Sequence, residues 1–261
     1  MKNPETIQIE LENKVATIWL NRPNVMNAFN GLMVQELVNA FEEISKNDAV
    51  KIVVLRGRGK VFCSGADLTW MHQVSELSYE KNFMESQLMA RCLYLLFSMP
   101  KPVVTLAHGT VMGGGNGLVA ASDICICSKS TNFAFTEVRL GLVPAVISPY
   151  IIRRIGHSRA RELMLTGRKF DGSEAAQFNL VTVAVEDYEL EEFLNNYVNQ
   201  LQYNSGSAMN KTKELLTELT ELYDTEAIMR YTARAIAQAR VSRDGQEGIS
   251  AYFEKRKPIW N

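Results

Sequence analysis

Residues 103–127, Val-Val-Thr-Leu-Ala-His-Gly-Thr-Val-Met-Gly-Gly-Gly-Asn-Gly-Leu-Val-Ala-Ala-Ser-Asp-Ile-Cys-Ile-Cys, carry the decisive pattern of this chain. Val103 to Leu106 reads as a strand ending in Ala107-His108-Gly109, Leu118 to Ala121 as a helix of small residues, and Asp123 to Cys127 as the next strand. The close succession of strand, turn, helix and strand predicts stacked β-β-α turns, an α/β fold, rather than a simple antiparallel sheet. Upstream, Ile7 to Leu11 and Val15 to Leu20 alternate apolar and polar residues around Glu12-Asn13-Lys14, as an opening β-hairpin does. A loop, Asn21 to Asn24, ends it. Met33, Val34, Leu37, Val38, Phe41 and Ile44 recur at helical spacing between Leu32 and Ser45, and Lys51 to Arg56 is a short buried strand. After Pro149 the patterns turn helical, at 158–165, 173–178, 190–201, 208–222, 225–241 and 246–253. Tyr203 to Ser207 is the visible soft joint between the core and the last helices.

The chain has 261 residues, 46% apolar and 22% charged, with a formal net charge of -1. These are the proportions of an ordinary globular protein large enough to bury a sizeable core. Without a Lys/Arg-rich run, neither nucleic acid nor an anionic membrane is an expected partner. Met1 to Glu5 lacks the features of a leader peptide and no stretch is apolar enough to span a bilayer, so the expected location is the cytoplasm. Cys63, Cys92, Cys125 and Cys127 lie in apolar surroundings and read as reduced core thiols; Cys125 and Cys127 would share one strand face. His72, His108 and His157 are scattered, so no metal site is expected.

Two segments leave a strand through glycine and enter a helix. Val61-Phe62-Cys63-Ser64-Gly65-Ala66-Asp67-Leu68 can expose the Ala66 N–H, with Asp67 ready to cap. Gly113-Gly114-Gly115 likewise leads to free N–H groups at a helix start. Each alone is most simply a tight turn. If the Ala66 and Gly114 N–H groups converge they form an oxyanion hole, which contributes about 3–4 kcal/mol per donor to a transition state bearing an enolate oxygen. Gly57-Arg58-Gly59-Lys60 lacks the Ser/Thr of a phosphate-binding P-loop, Leu118 stands where a dinucleotide fingerprint needs its last glycine, and there is no Gly-x-Ser-x-Gly elbow. Glu137 closes the apolar run Phe133-Ala134-Phe135-Thr136. An exposed or capping role is the ordinary one for such a residue; buried beside aromatics it would have a raised pKa suited to moving protons near neutral pH.

Taken in order, several of these segments resemble the enoyl-CoA hydratase/isomerase, or crotonase, family. They are Asn21-Arg22-Pro23 with Asn27-Ala28, Phe62 to Leu68, Gly113-Gly114-Gly115 with Asp123-Ile124, Phe133 to Pro144, Leu165 to Arg168, Glu174-Ala175 and Leu180-Val181. The resemblance implies a ββα superhelix over residues 1–200 that carries the acyl-CoA and oxyanion site. Residues 201–261 would form a helical region that covers the active site and joins trimers, often paired into hexamers. It implies a CoA thioester substrate, with no cofactor beyond the CoA of the substrate itself. Glu137, Gly114 and Ala66 would be catalytic. Arg22, Val25, Met26, Ala66, Asp67, Leu68, Thr69, Gly113, Gly114 and Gly117 would line the bound thioester, and Lys255 would meet the CoA phosphates, from a neighbouring subunit if not its own.

One position departs from the pattern. Two-glutamate hydratases carry a glutamate two residues after the third glycine, where this chain has Gly117. A single carboxylate is adequate for shifting a double bond, which favours an isomerase. Against this, the glycine run and Val143-Pro144-Ala145-Val146-Ile147-Ser148-Pro149-Tyr150 resemble bacterial methylglutaconyl-CoA hydratases. Hydration of a short or branched 2-enoyl-CoA is therefore the leading expectation, with the isomerase and a non-catalytic acyl-CoA-binding protein as alternatives. Trp70, Met71, Met112, Val146 and Tyr150 are candidates to shape the acyl pocket, and Arg139, Arg153 and Arg154 to pair with a second carboxylate on the acyl tail.

Overall fold

The computed structural model describes residues 4–260, so Met1 to Asn3, read above for a leader, and Asn261 lie outside the described residues. The opening hairpin is β1 (Ile7–Glu12) and β2 (Val15–Leu20), and its turn residues Asn13 and Lys14 both take positive φ. Four further strands, β3 (Ile52–Gly57), β4 (Val103–Ala107), β6 (Ile124–Ser128) and β8 (Val183–Val185), extend the sheet in the order β1-β2-β3-β4-β6-β8, every added pair parallel. A second small sheet pairs β5 (Thr110–Met112) in parallel with β7 (Asn132–Ala134). Thus β4 is followed by β5 and β6 by β7, each pair split between two layers, which is the stacked β-β-α arrangement the sequence predicts.

Helices cover both faces of the large sheet. Val53 and Leu55 of β3 join one cluster with Met33, Leu37 and Phe41 of α1 (Gly31–Lys46) and with Leu93 and Leu96 of α3 (Tyr79–Phe97). Ile52 and Val54 join the other, with Val104, Leu106 and Ile126 and with Leu190 and Leu194 of α7 (Leu190–Tyr203). An uninterrupted apolar run such as Ile52 to Leu55 is what a parallel strand covered on both sides requires. Cys125 and Cys127 share the first face, and burial pushes the Cys125 thiol up to about 12.

The remaining helices are α2 (Leu68–Ser75), α4 (Gly114–Ala121), α5 (Ser148–Thr166), α6 (Gly172–Gln177), α8 (Gly206–Leu219), α9 (Thr225–Val241) and α10 (Arg243–Phe253). Two differ most from expectation. The helix read at 118–121 starts four residues earlier, inside the glycine run, because burial of Gly115 to Ala121 overrides the poor helix propensity of glycine. The helix read at 158–165 extends back to Ser148 across a break at Gly156, whose φ of 71 interrupts the periodicity. The joint at 203–207 is stapled: the Ser205 and Ser207 hydroxyls both donate to Asp244, and Trp260 Nε1 donates to the Tyr203 carbonyl. Helices α8 and α9 bury no residue within the chain, and Leu216, Met229 and Ile236 are each more than half exposed. No helix of the described residues is long and apolar enough to cross a membrane.

Candidate active site

Three segments of chain run parallel and in register where the small sheet meets the core. Cys63 bridges Val111 of β5, and Val111 pairs with Phe133 of β7. Ala66, Gly114 and Glu137 follow this aligned row by three, three and four residues, so all three leave the same edge. Each is reached through an unusual or abrupt backbone turn. Gly65 has φ +96 and lies so close to the Met112 carbonyl that an added Cβ would stand 3.4 Å from its oxygen. Gly113 takes φ 46 and ψ -121, outside what side-chain-bearing residues adopt readily, and a Cβ there would lie 3.5 Å from Glu137 Oε1 and 3.7 Å from Gly65 Cα. Gly113 is therefore the point at which both turns and the carboxylate meet.

Hydrogen-bond accounting identifies the available donors. Ala66 forms a parallel bridge with Phe29 in which Phe29 N–H donates to the Gly65 carbonyl (2.7 Å) and Asp67 N–H donates to the Phe29 carbonyl (2.8 Å). In such a bridge the N–H of the middle residue points the other way, and the Ala66 N–H has no acceptor among the described residues. Gly114 opens α4, so its N–H has no intrahelical partner either, and none is supplied by a side chain among the described residues. Glu137 opens a short 3-10 turn, Glu137–Leu140, and is half-buried. Desolvation raises its pKa, against a smaller lowering by its own backbone N–H, and its Oε2 is buried without a partner. Two free main-chain donors beside a desolvated carboxylate are equipped to hold a developing oxyanion and to exchange a proton next to it.

The neighbouring loop is tied to this site through Arg22. The Arg22 guanidinium donates to the Ala28 carbonyl (2.5 Å) and to Asp67 Oδ2 (2.9 Å), so Arg22 fastens the 22–28 loop to the Ala66 turn. Asp67 also caps α2, accepting from Thr69 N–H (2.9 Å) and Trp70 N–H (3.3 Å). Partial burial works against the Asp67 charge, but the bonds from Arg22, Trp70 and Thr69 outweigh it and hold the carboxyl below its usual range. Asn27 completes the loop, donating to the Arg58 (2.8 Å) and Val61 (2.9 Å) carbonyls.

A cleft of about 740 Å³ opens beside these residues, lined by Arg22, Val25, Asp67 and Thr69 and also by Asn30, Trp70 and Glu85. Met26 and Leu68 are 56% and 80% exposed, on the same two turns. Glu85 belongs to α3, a helix not among the elements expected from the sequence although Leu88, Met89, Cys92, Leu93 and Leu96 recur at helical spacing. Lys255 stands apart, exposed just beyond the end of α10, and lines neither the cleft nor the glycine turn. Of the three arginines, Arg153 bonds Glu221 (2.9 Å) and Arg154 bonds main-chain carbonyls at the end of α4, while Arg139 has no ion-pair partner among the described residues. His72 is exposed beside Glu76, and His108 bonds the Gly59 carbonyl (3.0 Å). No group of three or more His, Cys, Asp or Glu among the described residues is placed to hold a metal ion.

Gly117 is buried in α4, and a Cβ there would lie 2.6 Å from Ile147 Cγ2 and 2.9 Å from Leu93 Cδ1. The place of a second carboxylate is thus occupied by apolar side chains.

Known proteins agree with this architecture. An enoyl-CoA hydratase of Shewanella pealeana, known from its crystal structure, is 36% identical, with a TM-score of 0.96 over 99% of this chain and 97% of its own. AtuE of Pseudomonas aeruginosa is 35% identical, with a TM-score of 0.94 over 98% and 99%. The trans-2-decenoyl-acyl-carrier-protein isomerase of Streptococcus mutans is 30% identical over 259 residues, 97% of this chain and 96% of its own. The sequence model described as enoyl-CoA hydratase/isomerase matches residues 10–261, and the chain belongs to that family, the crotonase family.

Proposed function

We propose that the protein is an enoyl-CoA hydratase acting on a short or branched 2-enoyl-CoA, with 3-methylglutaconyl-CoA of leucine degradation as the specific candidate. The observation that carries this reading is the meeting point at Gly113, where a desolvated Glu137 stands beside the Ala66 and Gly114 turns with their free N–H groups. In this mechanism the thioester oxygen accepts from both N–H groups. Ionised Glu137 takes a proton from water as the water oxygen bonds to C3, and the double-bond electrons move onto the thioester oxygen as an enolate. Glu137, now neutral, returns that proton to C2 as the enolate collapses. One carboxylate thus serves both halves, and its raised pKa keeps the neutral intermediate accessible.

In the same reading the CoA lies along Arg22 to Met26 and Asp67 to Thr69, with Lys255 reaching its phosphates from a neighbouring copy. The bare faces of α8 and α9 are the surfaces for that assembly into trimers or hexamers, which sedimentation equilibrium measures directly. Isomerisation is the second reading, favoured by the closure of position 117. There Glu137 takes a proton from C2 of a 3-enoyl-CoA and returns it to C4. Incubation with 3-methylglutaconyl-CoA, crotonyl-CoA and a 3-enoyl-CoA in ¹⁸O-labelled water, with products resolved by mass, separates the two. Incorporated ¹⁸O supports the hydratase; a moved double bond without ¹⁸O overturns it.

A further inference from the structure

Asn116 is fully buried in the first turn of α4, and its Nδ2 donates to the Ala134 carbonyl at 2.8 Å. Its Oδ1 is buried with no partner. An apolar residue would fill this helix position without a half-satisfied amide, so packing alone does not account for an asparagine. The place of the bond does. The β5–β7 ladder ends at the pair Met112 and Ala134, because Gly113, the residue after β5, turns sharply out of the strand. Beyond that point Asn116 reaches across from α4 to the last residue of β7 and extends the connection by a side chain. On one side of the link, two residues before Asn116, is the Gly114 N–H; on the other, three residues after Ala134, is Glu137.

We infer that Asn116 is a positioning residue for the reaction, holding the turn that carries Glu137 at a set distance from the Gly114 N–H. The inference rests on the site reading proposed above. Displacing a reacting group by about 1 Å costs on the order of a hundredfold in rate. Asn116→Ala should lower kcat by tens to a hundredfold while KM and the affinity for a non-reacting CoA thioester stay within about threefold. The acid limb of the pH–kcat profile should also move to lower pH, because a Glu137 released from its place becomes better hydrated. Loss of packing alone would lower the unfolding midpoint without moving that limb.

The test is steady-state kinetics from pH 5 to 9 on folded Asn116→Ala, with Asn116→Leu, which refills the space without a donor, used if the alanine variant does not fold. Glu137→Gln is assayed in parallel. A kcat within about threefold of the parent and an unmoved acid limb overturn the inference while an inactive Glu137→Gln leaves the site reading standing. Turnover by Glu137→Gln near that of the parent overturns both.

Discussion

Replacing Gly117 tests whether the one-carboxylate site is built into the packing. Gly117→Ala in a helix interior gains about 1 kcal/mol of helix propensity. Its Cβ, however, would arrive 2.6 Å from Ile147 Cγ2 and 2.9 Å from Leu93 Cδ1, both side chains being buried. Overpacking of this kind costs about 1–3 kcal/mol, so the net effect is a loss of up to about 2 kcal/mol. Removing Ile147 Cγ2 should change the sign. In an Ile147→Ala background, itself about 2–5 kcal/mol less stable, Leu93 can move into the vacated space and Gly117→Ala should stabilise. Gly117→Glu adds a carboxyl to the same apolar contact, about 1–3 kcal/mol more if it is buried neutral, and approaches the stability of an ordinary domain. Urea unfolding of the four members of the Gly117/Ile147 cycle gives the coupling directly. A Gly117→Ala variant stabilised by the full propensity gain in the parent background would refute the reasoning, since it would mean that the site yields freely.

Further outcomes follow from the same contacts. Glu137→Gln should abolish most turnover while CoA-thioester binding, measured by calorimetry, survives; near-normal turnover would sink the mechanism. Because burial raises the Glu137 pKa, the parent loses stability as pH rises from the ordinary carboxylate range through the raised value, and Gln does not. Thermal unfolding should therefore favour the Gln variant at pH 8 and show little difference at pH 4. For the same reason hydration, which needs the ionised form, should fall off on the acid side above the ordinary glutamate pKa of about 4.3. Arg22→Met removes the bonds to Ala28 and Asp67 and should cost roughly 1–3 kcal/mol of unfolding free energy in urea while raising KM more than it lowers kcat. An unchanged KM would show that the two turns hold their places without it.

Much of the fold was legible because burial leaves periodic marks. The helix expected at 225–241 has those bounds, and the two-sided burial of β3 is written in the unbroken run Ile52 to Leu55. The exceptions have physical causes. Helix α3 buries Cys92, Leu93 and Leu96 near its end, while Phe83 and Met84 near its start are exposed, so its apolar stripe is broken over the first turns. Arg22 lines the cleft, but its charge is used within the protein, on Asp67, which no spacing between residues 45 apart reveals. Lys255 was reached only through resemblance, and within one chain it is not brought to the cleft.

The centre of the site was legible for a different reason, since its donors are main-chain groups. Ala66 and Gly114 carry no functional side chain, and what marks them is the glycine beside each, needed where the backbone turns out of a strand. What spacing does not express is the register that makes the turns converge. Cys63, Val111 and Phe133 stand in one row of parallel pairing, so steps of three, three and four residues bring Ala66, Gly114 and Glu137 to a single edge. The geometry of the proposed site is then a property of strand alignment more than of side-chain choice. Substitutions that keep the N–H and fit the space should be tolerated at Ala66, whereas shifting one strand against another by a single residue would point each group to the opposite face. Asn116 matters in this view because it ties together two members of the row just past the point where their own pairing stops.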